Sequence, residues 1–501
     1  MSSFGNLLIP RPGMPYEGGQ FNDFKGGLND ALSDELIEQN ELSAIQNYIP
    51  DPENSGVLTK REGISQISSQ QAAAFIGQIH DGIHDIWAML PTDVIDDTGT
   101  AQGLTLTSST DCDWASFAGY DIVTNGTELR KCATGPTWTA LGGSPPAFKY
   151  LSVYNRFLFG AGHDKAKVRW CNPDDPETWD ADNEWNLAPD AADDIVGLVR
   201  FRDVLVVMGQ RSFWHLRGFD EKAMQITYRG EPGCVSHRTI VPTPYGLFWW
   251  SYDGIYWSPD GYQAFNISEL KIPKTIDGLN SSKFGLNHAV WNMNRQRVEF
   301  YTFSSGSTTQ DTAIFYYPRI GIRDIYGVPV GSFWIQKGGL AAMAASGDVT
   351  VSGEKRVYLG SVSATGYVYN ETGGTDDGAA ISAFYETKRD STAHGPASIK
   401  RTKTFIPGFE LTGDANVTFG VYFNNSQSID KSWSLSLSAS SGFVLGVDAL
   451  DVGVLGSGAA GEDTPLHWSQ KFRKFKFRVA DEAGVTTKYR GIRTEGYLVN
   501  L

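Results

Sequence analysis

One design recurs along the middle of this chain: a short aromatic or β-branched run, a tight turn, a second run, then Trp or Tyr. The clearest copies are Lys149–Gly160 (KYLSVYNRFLFG), Val199–Gly209 (VRFRDVLVVMG), Gly246–Gly261 (GLFWWSYDGIYWSPDG) and Trp291–Phe303 (WNMNRQRVEFYTF). Their starts lie roughly 40–55 residues apart, near the size of one four-stranded propeller blade. Radial repetition of small sheets leaves only short, protected edges, so ladder groups are not free to template aggregation. The spacing predicts about six blades, with seven allowed, because insertions at Ser304–Gln310 and Gly373–Gly378 blur it. Long helical periodicity is missing between Phe75 and Arg389.

Local signals divide the chain further. Residues 1–70 read as an extended N-terminal arm and docking segment, rich at first in Gly, Pro and Asn; such arms fray or lie on a partner. Within it, Ser33–Asn47 could open with a short helix anchored by Leu36, Ile37 and Ile45, and Gly56–Gly63 reads as a strand with a turn. Phe75–His80 and Ile83–Leu90 flank Asp81-Gly82, a dipeptide suited to a two-residue hairpin loop, and the propeller reading covers 71–388. Beyond Lys388 a basic connection (Lys388, Arg389, Lys400, Arg401, Lys403) leads into alternating runs at Asn416–Phe423, Trp433–Leu437 and Lys474–Val479. In the last, Phe475, Phe477 and Val479 share one face and Lys474, Lys476 and Arg478 the other. Residues 389–501 therefore read as a C-terminal β-sandwich or barrel with one basic outer strand, and the fold class as all-β.

A hydrophobic fraction of 41% suffices for a real core, and 55 Gly with 12% aromatics suit many turns between stacked sheets. The net charge of −15 argues against a general nucleic-acid binder, which needs Lys and Arg facing phosphate. An acidic wall would suit a passage through which DNA slides without sticking. Met1–Tyr16 lacks the parts of a secretory signal, and no apolar run approaches a membrane helix. Cys112, Cys132, Cys171 and Cys234 are far apart with no CxxC, which fits free thiols; a Cys112–Cys132 bridge is the alternative.

Chemistry finds little foothold. Gly456-Ser-Gly458-Ala-Ala-Gly461 matches GxGxxG, but Glu462-Asp463-Thr464-Pro465 cannot start the helix that would hold a pyrophosphate, so a loop is expected. The acidic run Asp174, Asp175, Glu177, Asp180, Asp182 and Glu184 lacks the sharp-turn Gly and terminal carboxylate of a calcium loop and reads as a solvated loop. His80 and His84 have the spacing of a helical zinc pair, but Asp81-Gly82 between them favours a turn. Ser251–Trp257 is one residue short of the Asp-box turn of sialidase-like propellers, itself a structural turn. No nucleophile elbow or P-loop is present, and no local marker picks a glycosidase pair from the many carboxylates. No cofactor, catalytic residue or metal ligand is expected. Lys474, Lys476 and Arg478 are the candidate partner-docking surface, against the simpler reading of a solvated face.

Taken in order, Phe24-Lys-Gly-Gly-Leu-Asn29, Asn40-Glu-Leu with Asn47, Gly56-Val-Leu-Thr-Lys-Arg61-Glu-Gly63, Tyr245-Gly-Leu-Phe-Trp-Trp-Ser251, Asp253-Gly-Ile-Tyr256 and Asp260-Gly261-Tyr resemble segments of the short-tailed phage nozzle proteins. These include the packaged-DNA stabilisation and tail tubular B proteins of podophages. The resemblance spans roughly Phe24–Glu269. It implies a non-enzymatic virion protein, synthesised in the host cytoplasm, whose copies (typically six) form a ring below the portal and its adaptor proteins. Such a ring extends the DNA channel, retains the packaged genome, passes it at ejection without sequence-specific binding, and carries tail fibres or spikes on its flank. Two alternatives stand beside it: a sialidase-like propeller glycosidase, from the near Asp-box and abundant Trp, and a glycan-binding adhesin at the tail tip.

Overall fold

Aromatic and β-branched runs joined by one- or two-residue turns pair with the run that follows them, and the chain does this again and again. The computed structural model describes residues 15–17, 21–109, 111–133, 137–187, 193–218, 223–390, 399–411, 415–437, 466–467, 470–481 and 487–499. Five sheets each hold four antiparallel strands, formed from the segments 113–140, 150–186, 195–230, 241–266 and 288–336. Tight links hold them: Ala118-Gly119 joins Phe117 to Tyr120 with both φ positive (52° and 82°), the twist that matches flanking strands. Into the fifth sheet is inserted a separate ribbon, Arg323–Ile325 with Val328–Val330.

Two further meanders, Ile76–Asp81 to Val94–Ile95 and Met343–Val351 to Val368–Glu371, meet edge to edge where Ala345 and Ser346 run parallel to Gly77 and Gln78. The outer strand beyond Val368–Glu371 comes from the opposite end of the sequence, Ile64–Gln66. First strands of successive sheets lie against one another from Asp113–Phe117 round to Met343–Val351, and Ile76–Asp81 touches Asp113–Phe117. The body is thus an all-β, propeller-like ring of small sheets closed by an N-terminal strand.

Both ends of the chain then build a second pair of sheets. One runs in the order Gly27–Leu28, Glu41–Gln46, Ala383–Thr387, Phe475–Asp481, Ala415–Phe423, Lys431–Leu437. The other runs Tyr48–Pro50, Leu58–Lys60, Thr487–Val499, Ile399–Leu411, Leu466–His467. Between them sits an aromatic core: Tyr385 lies 5.4 Å from Tyr48 and 5.0 Å from Tyr489, and Phe477 lies 5.3 Å from both Phe405 and Phe419. That core is continuous with the sheets of 241–266 and 288–336.

Three local expectations change. Ser33–Asn47 forms turns followed by the strand Glu41–Gln46, because Leu42 and Ile45 find partners in Ala383–Thr387 rather than along one helix face, while Leu36 is exposed. The early arm is not merely extended: Phe21, Phe24 and Leu28 are buried at 1%, 1% and 4% exposure. The hairpin at Asp81 closes through residues 82–85, since Asp81 pairs with Ile86, and the Asp121 carboxylate holds that longer loop by accepting from the N–H groups of Ile83 (2.8 Å) and His84 (3.0 Å).

Candidate functional site

The axis of the ring is filled by the chain itself. Between the sheets of 195–230 and 241–266, the 3-10 turn His237–Thr239 runs under the first strands. His237 Nε2 bonds the Cys112 carbonyl oxygen at 2.9 Å, its ring lies 4.8 Å from that of Tyr150, and Ser236 Oγ donates to the Asn287 carbonyl at 2.7 Å. These partners stand at the starts of three sheets, 113–140, 150–186 and 288–336, none of which contains the turn, so the turn bridges the middle. Gly197 permits the approach: a Cβ there would lie 2.5 Å from Ile240 Cδ1 and 3.0 Å from His237 Cβ. Arg238 is 4% exposed and shares this space with Cys112, Asp113, Tyr150 and His288. His288 in turn bonds Ser346 Oγ and the Met343 carbonyl, both at 2.8 Å.

Burial sets the protonation of this plug. It holds the imidazoles of His237 and His288 down to about 3, helped by the nearby Arg238 charge, so both are neutral. It lifts the Cys112 thiol to about 12 and the Asp113 carboxyl to about 7, the latter against hydrogen bonds from the Leu151 and Trp114 N–H groups. A thiol at about 12 is not a nucleophile at neutral pH. All four cysteines are free and buried.

A second set of buried charges ties sheets together, in two cases across the two bodies. Lys271 meets Glu41 at 3.0 Å with both side chains 1% exposed, and Lys60 meets Asp481 at 3.1 Å. Arg61 makes a two-pronged contact with Asp376 (2.7 Å twice) and also donates from Nε to Asn47 Oδ1 at 3.1 Å. Arg297 lies between Glu299 and Glu371 and also reaches the Tyr317 hydroxyl at 2.9 Å. Removing one member of such a pair leaves a charge without solvent or partner, which costs far more than the pair itself contributes. Each of these charges has an opposite charge within the protein; Glu41 and Lys271 also line a cavity of about 510 Å³ with Glu38 and Arg323, and Glu371 lines one of about 280 Å³.

The candidate docking residues are already engaged. Lys474 contacts Glu35 (2.6 Å), Lys476 contacts Glu386 (2.7 Å) and Asp34 (3.5 Å), and Arg478 contacts Glu386 (2.8 Å). Their strand lies inside its sheet, between Ala383–Thr387 and Ala415–Phe423, so its polar face meets acidic residues of the N-terminal segment. The acidic run is also partly neutralised: Asp174 pairs with Arg156, Glu177 with Lys131 and Glu184 with Lys167, while Asp180 and Asp182 stay exposed. His80 and His84 lie on a strand and in a loop, bonding Ser116 Oγ (2.9 Å) and the Gly119 carbonyl (3.0 Å). Ser251–Trp257 is the turn between paired strands, with the Tyr256 hydroxyl donating to Asp253 at 2.7 Å. Gly456–Gly461 lies outside the described residues. Among the described residues no group of three or more His, Cys, Asp or Glu side chains is placed to hold a metal ion.

Sequence reasoning missed the plug and the buried joints. Neither has a periodic signal; a polar residue at a strand start looks the same whether it meets solvent or the ring axis.

No family model matches this sequence, and no curated protein matches it. Its fold is similar to that of several solved structures. A quinonprotein alcohol dehydrogenase-like protein from Bacteroides thetaiotaomicron aligns at 12% identity and TM-score 0.32, over 52% of this chain and 68% of that one. PorZ, a bacterial surface component of the type-IX secretion system of Porphyromonas gingivalis, aligns at 8% and 0.36, over 68% and 44%. Hsv2 of Kluyveromyces lactis aligns at 11% and 0.30, over 55% and 84%. None shares enough sequence or geometry to carry a function across.

Proposed function

We propose that this chain is a structural subunit of a short phage tail: a propeller-centred nozzle protein whose copies, six as in the nozzle proteins it resembles, form a ring below the portal and adaptor. The ring extends the DNA channel, retains the packaged genome and passes it at ejection; the chain is not an enzyme. Five four-stranded sheets and the two meanders that meet at Gly77 and Ala345 support a reading of seven blades, the upper of the two counts expected from the repeats.

One observation carries the reading. Segments that resemble nozzle proteins supply the buried joints: Glu41 to Lys271 and Arg61, with Asn47, to Asp376 tie the sandwich to the ring of small sheets, while Lys60 to Asp481 ties the two sheets of the sandwich to each other. Those residues build a rigid two-part brick, which a load-bearing ring requires and a binding loop does not. The plug adds a constraint on how the ring works. A duplex whose major groove alone is about 12 Å wide has no path along an axis occupied by His237 and Arg238, so the conduit is a space between copies.

Electron microscopy of purified virions tests this. The expected result is annular density below the portal into which this fold fits. A tail with no density for the chain ends the proposal.

A further inference from the structure

Two sets of unpaired opposite charges lie on parts of the molecule that do not meet. The first lines an open cavity of about 560 Å³ walled by Ile399, Asn424, Asn425, Lys471, Phe472, Arg473 and Lys474. Its floor is firm: Phe472 is 2% exposed, Asn424 Oδ1 accepts from the Arg473 N–H at 2.8 Å, and buried Lys400 donates to the Arg473 carbonyl at 2.9 Å. Lys474 spends its charge on Glu35. Lys471 and Arg473 are exposed and find no side-chain partner among the described residues.

The second set is the tip of the acidic run, Asp180-Ala-Asp182. Its flanking carboxylates are held by Arg156, Lys131 and Lys167 and its Asp180 carbonyl accepts from the Arg169 guanidinium at 3.2 Å, which fixes the loop and leaves the carboxylates of these two aspartates exposed and without an ion-pair partner among the described residues. The loop joins Lys167–Trp170 to Glu184–Asn186, the last two strands of their sheet and therefore its outer rim. That sheet shares no core with the two-ended sandwich, whose apolar interior continues instead into the sheets of 241–266 and 288–336. Among the described residues no ion pair links the two charge sets within one copy.

We propose that the Asp180–Asp182 loop of one copy docks in the Lys471/Arg473 cavity of a second copy of this chain. The contact rests on the reading of the chain as a ring subunit and assigns that ring its salt-sensitive joint. It is heterologous, one patch meeting a different patch, so it propagates around an annulus that closes if the rotation per copy allows. On a chain of net charge −15, two exposed cations in one cavity offer an acidic loop a complementary contact. Exposed ion pairs are individually weak and screened by salt, so the contact orients copies and depends on ionic strength.

The test compares full-length wild-type chain with D180K/D182K and K471E/R473E by analytical ultracentrifugation, with circular dichroism melts to confirm that each folds. Wild type is expected to assemble at low salt and to weaken at about 0.5 M salt, where the Debye length falls to a few ångströms. Each variant alone is expected to associate at least about tenfold more weakly. An equimolar mixture is expected to recover assembly, because each chain supplies the charge its neighbour lacks; loss of fold would not be rescued this way. Variants that assemble like wild type, or a mixture that fails to recover, overturn the contact and leave the ring reading standing. A wild-type chain that stays monomeric at every salt, with or without its neighbours in the particle, overturns both.

Discussion

Lys60 and Asp481 face each other at 3.1 Å with side chains 1% and 0% exposed, so a residue of the first strand pairs is locked to one near the chain's end. Burial pulls the lysine's proton affinity down and the Asp481 charge restores part of it, the signature of a pair whose members depend on each other. Lys60→Met is expected to cost about 3–5 kcal/mol, because it strands a carboxylate between the sheets. Lys60→Met with Asp481→Leu is expected to regain most of that loss. Urea unfolding of the three proteins checks it: a double variant no more stable than the single one would refute the pairing argument.

Gly63 makes the seam where the N-terminal strand closes the ring. A Cβ at this position would sit 1.8 Å from the Thr375 carbonyl oxygen and 2.3 Å from its carbon, backbone against backbone, so nothing flexible can give way. Gly63→Ala is therefore expected to lose about 2 kcal/mol or more and to raise protease sensitivity near residues 61–66. A melting temperature equal to that of wild type would mean that the seam is looser than its geometry.

The basic strand gives the opposite expectation. The Lys474–Glu35 pair is 22% and 38% exposed, so water already solvates both charges. Lys474→Ala should change stability by less than about 1 kcal/mol. A larger loss in the same urea measurement would show that this strand holds the N-terminal segment in place.

How much of this was legible follows from the range of each interaction. The repeats were readable because a strand's partner is the next run: Val199 pairs with Val206 and Trp249 with Tyr256, all within one meander. The alternation in Phe475–Val479 was also readable, and Phe475, Phe477 and Val479 are fully buried. Glu41–Gln46 was not, since its partner Ala383–Thr387 lies more than three hundred residues on, and a short run with few apolar anchors fits a helix or a strand equally. The charges of Lys60, Lys271 and Arg61 look like surface charges in one dimension. Only the fold reveals that each has a buried carboxylate opposite.

Acid sensitivity follows from the buried imidazoles. Burial holds His237 and His288 at about 3, and His80 and His215 at about 4, against an ordinary value near 6.5. In the fold these rings stay neutral, while the unfolded chain takes up protons as the pH drops below about 6.5. Their stabilising share is therefore complete above about 6.5 and shrinks as the pH falls toward 3–4. At pH 5.5 each fully buried histidine has given up about 1.4 kcal/mol; His80, with its side chain 18% exposed, gives up less. Asp113 works the other way. Raised to about 7 by burial, it keeps its proton in the fold and gains stability as the pH falls from 7 toward 4; burial also raises Asp97, Glu299 and Asp348, against five lowered imidazoles once His163 is included. The melting temperature should fall between pH 7 and pH 5. His237→Gln, whose amide can still donate to the Cys112 carbonyl, should flatten that fall measurably. A variant slope equal to the wild-type slope would show that the ring-axis imidazole titrates as though it were in water.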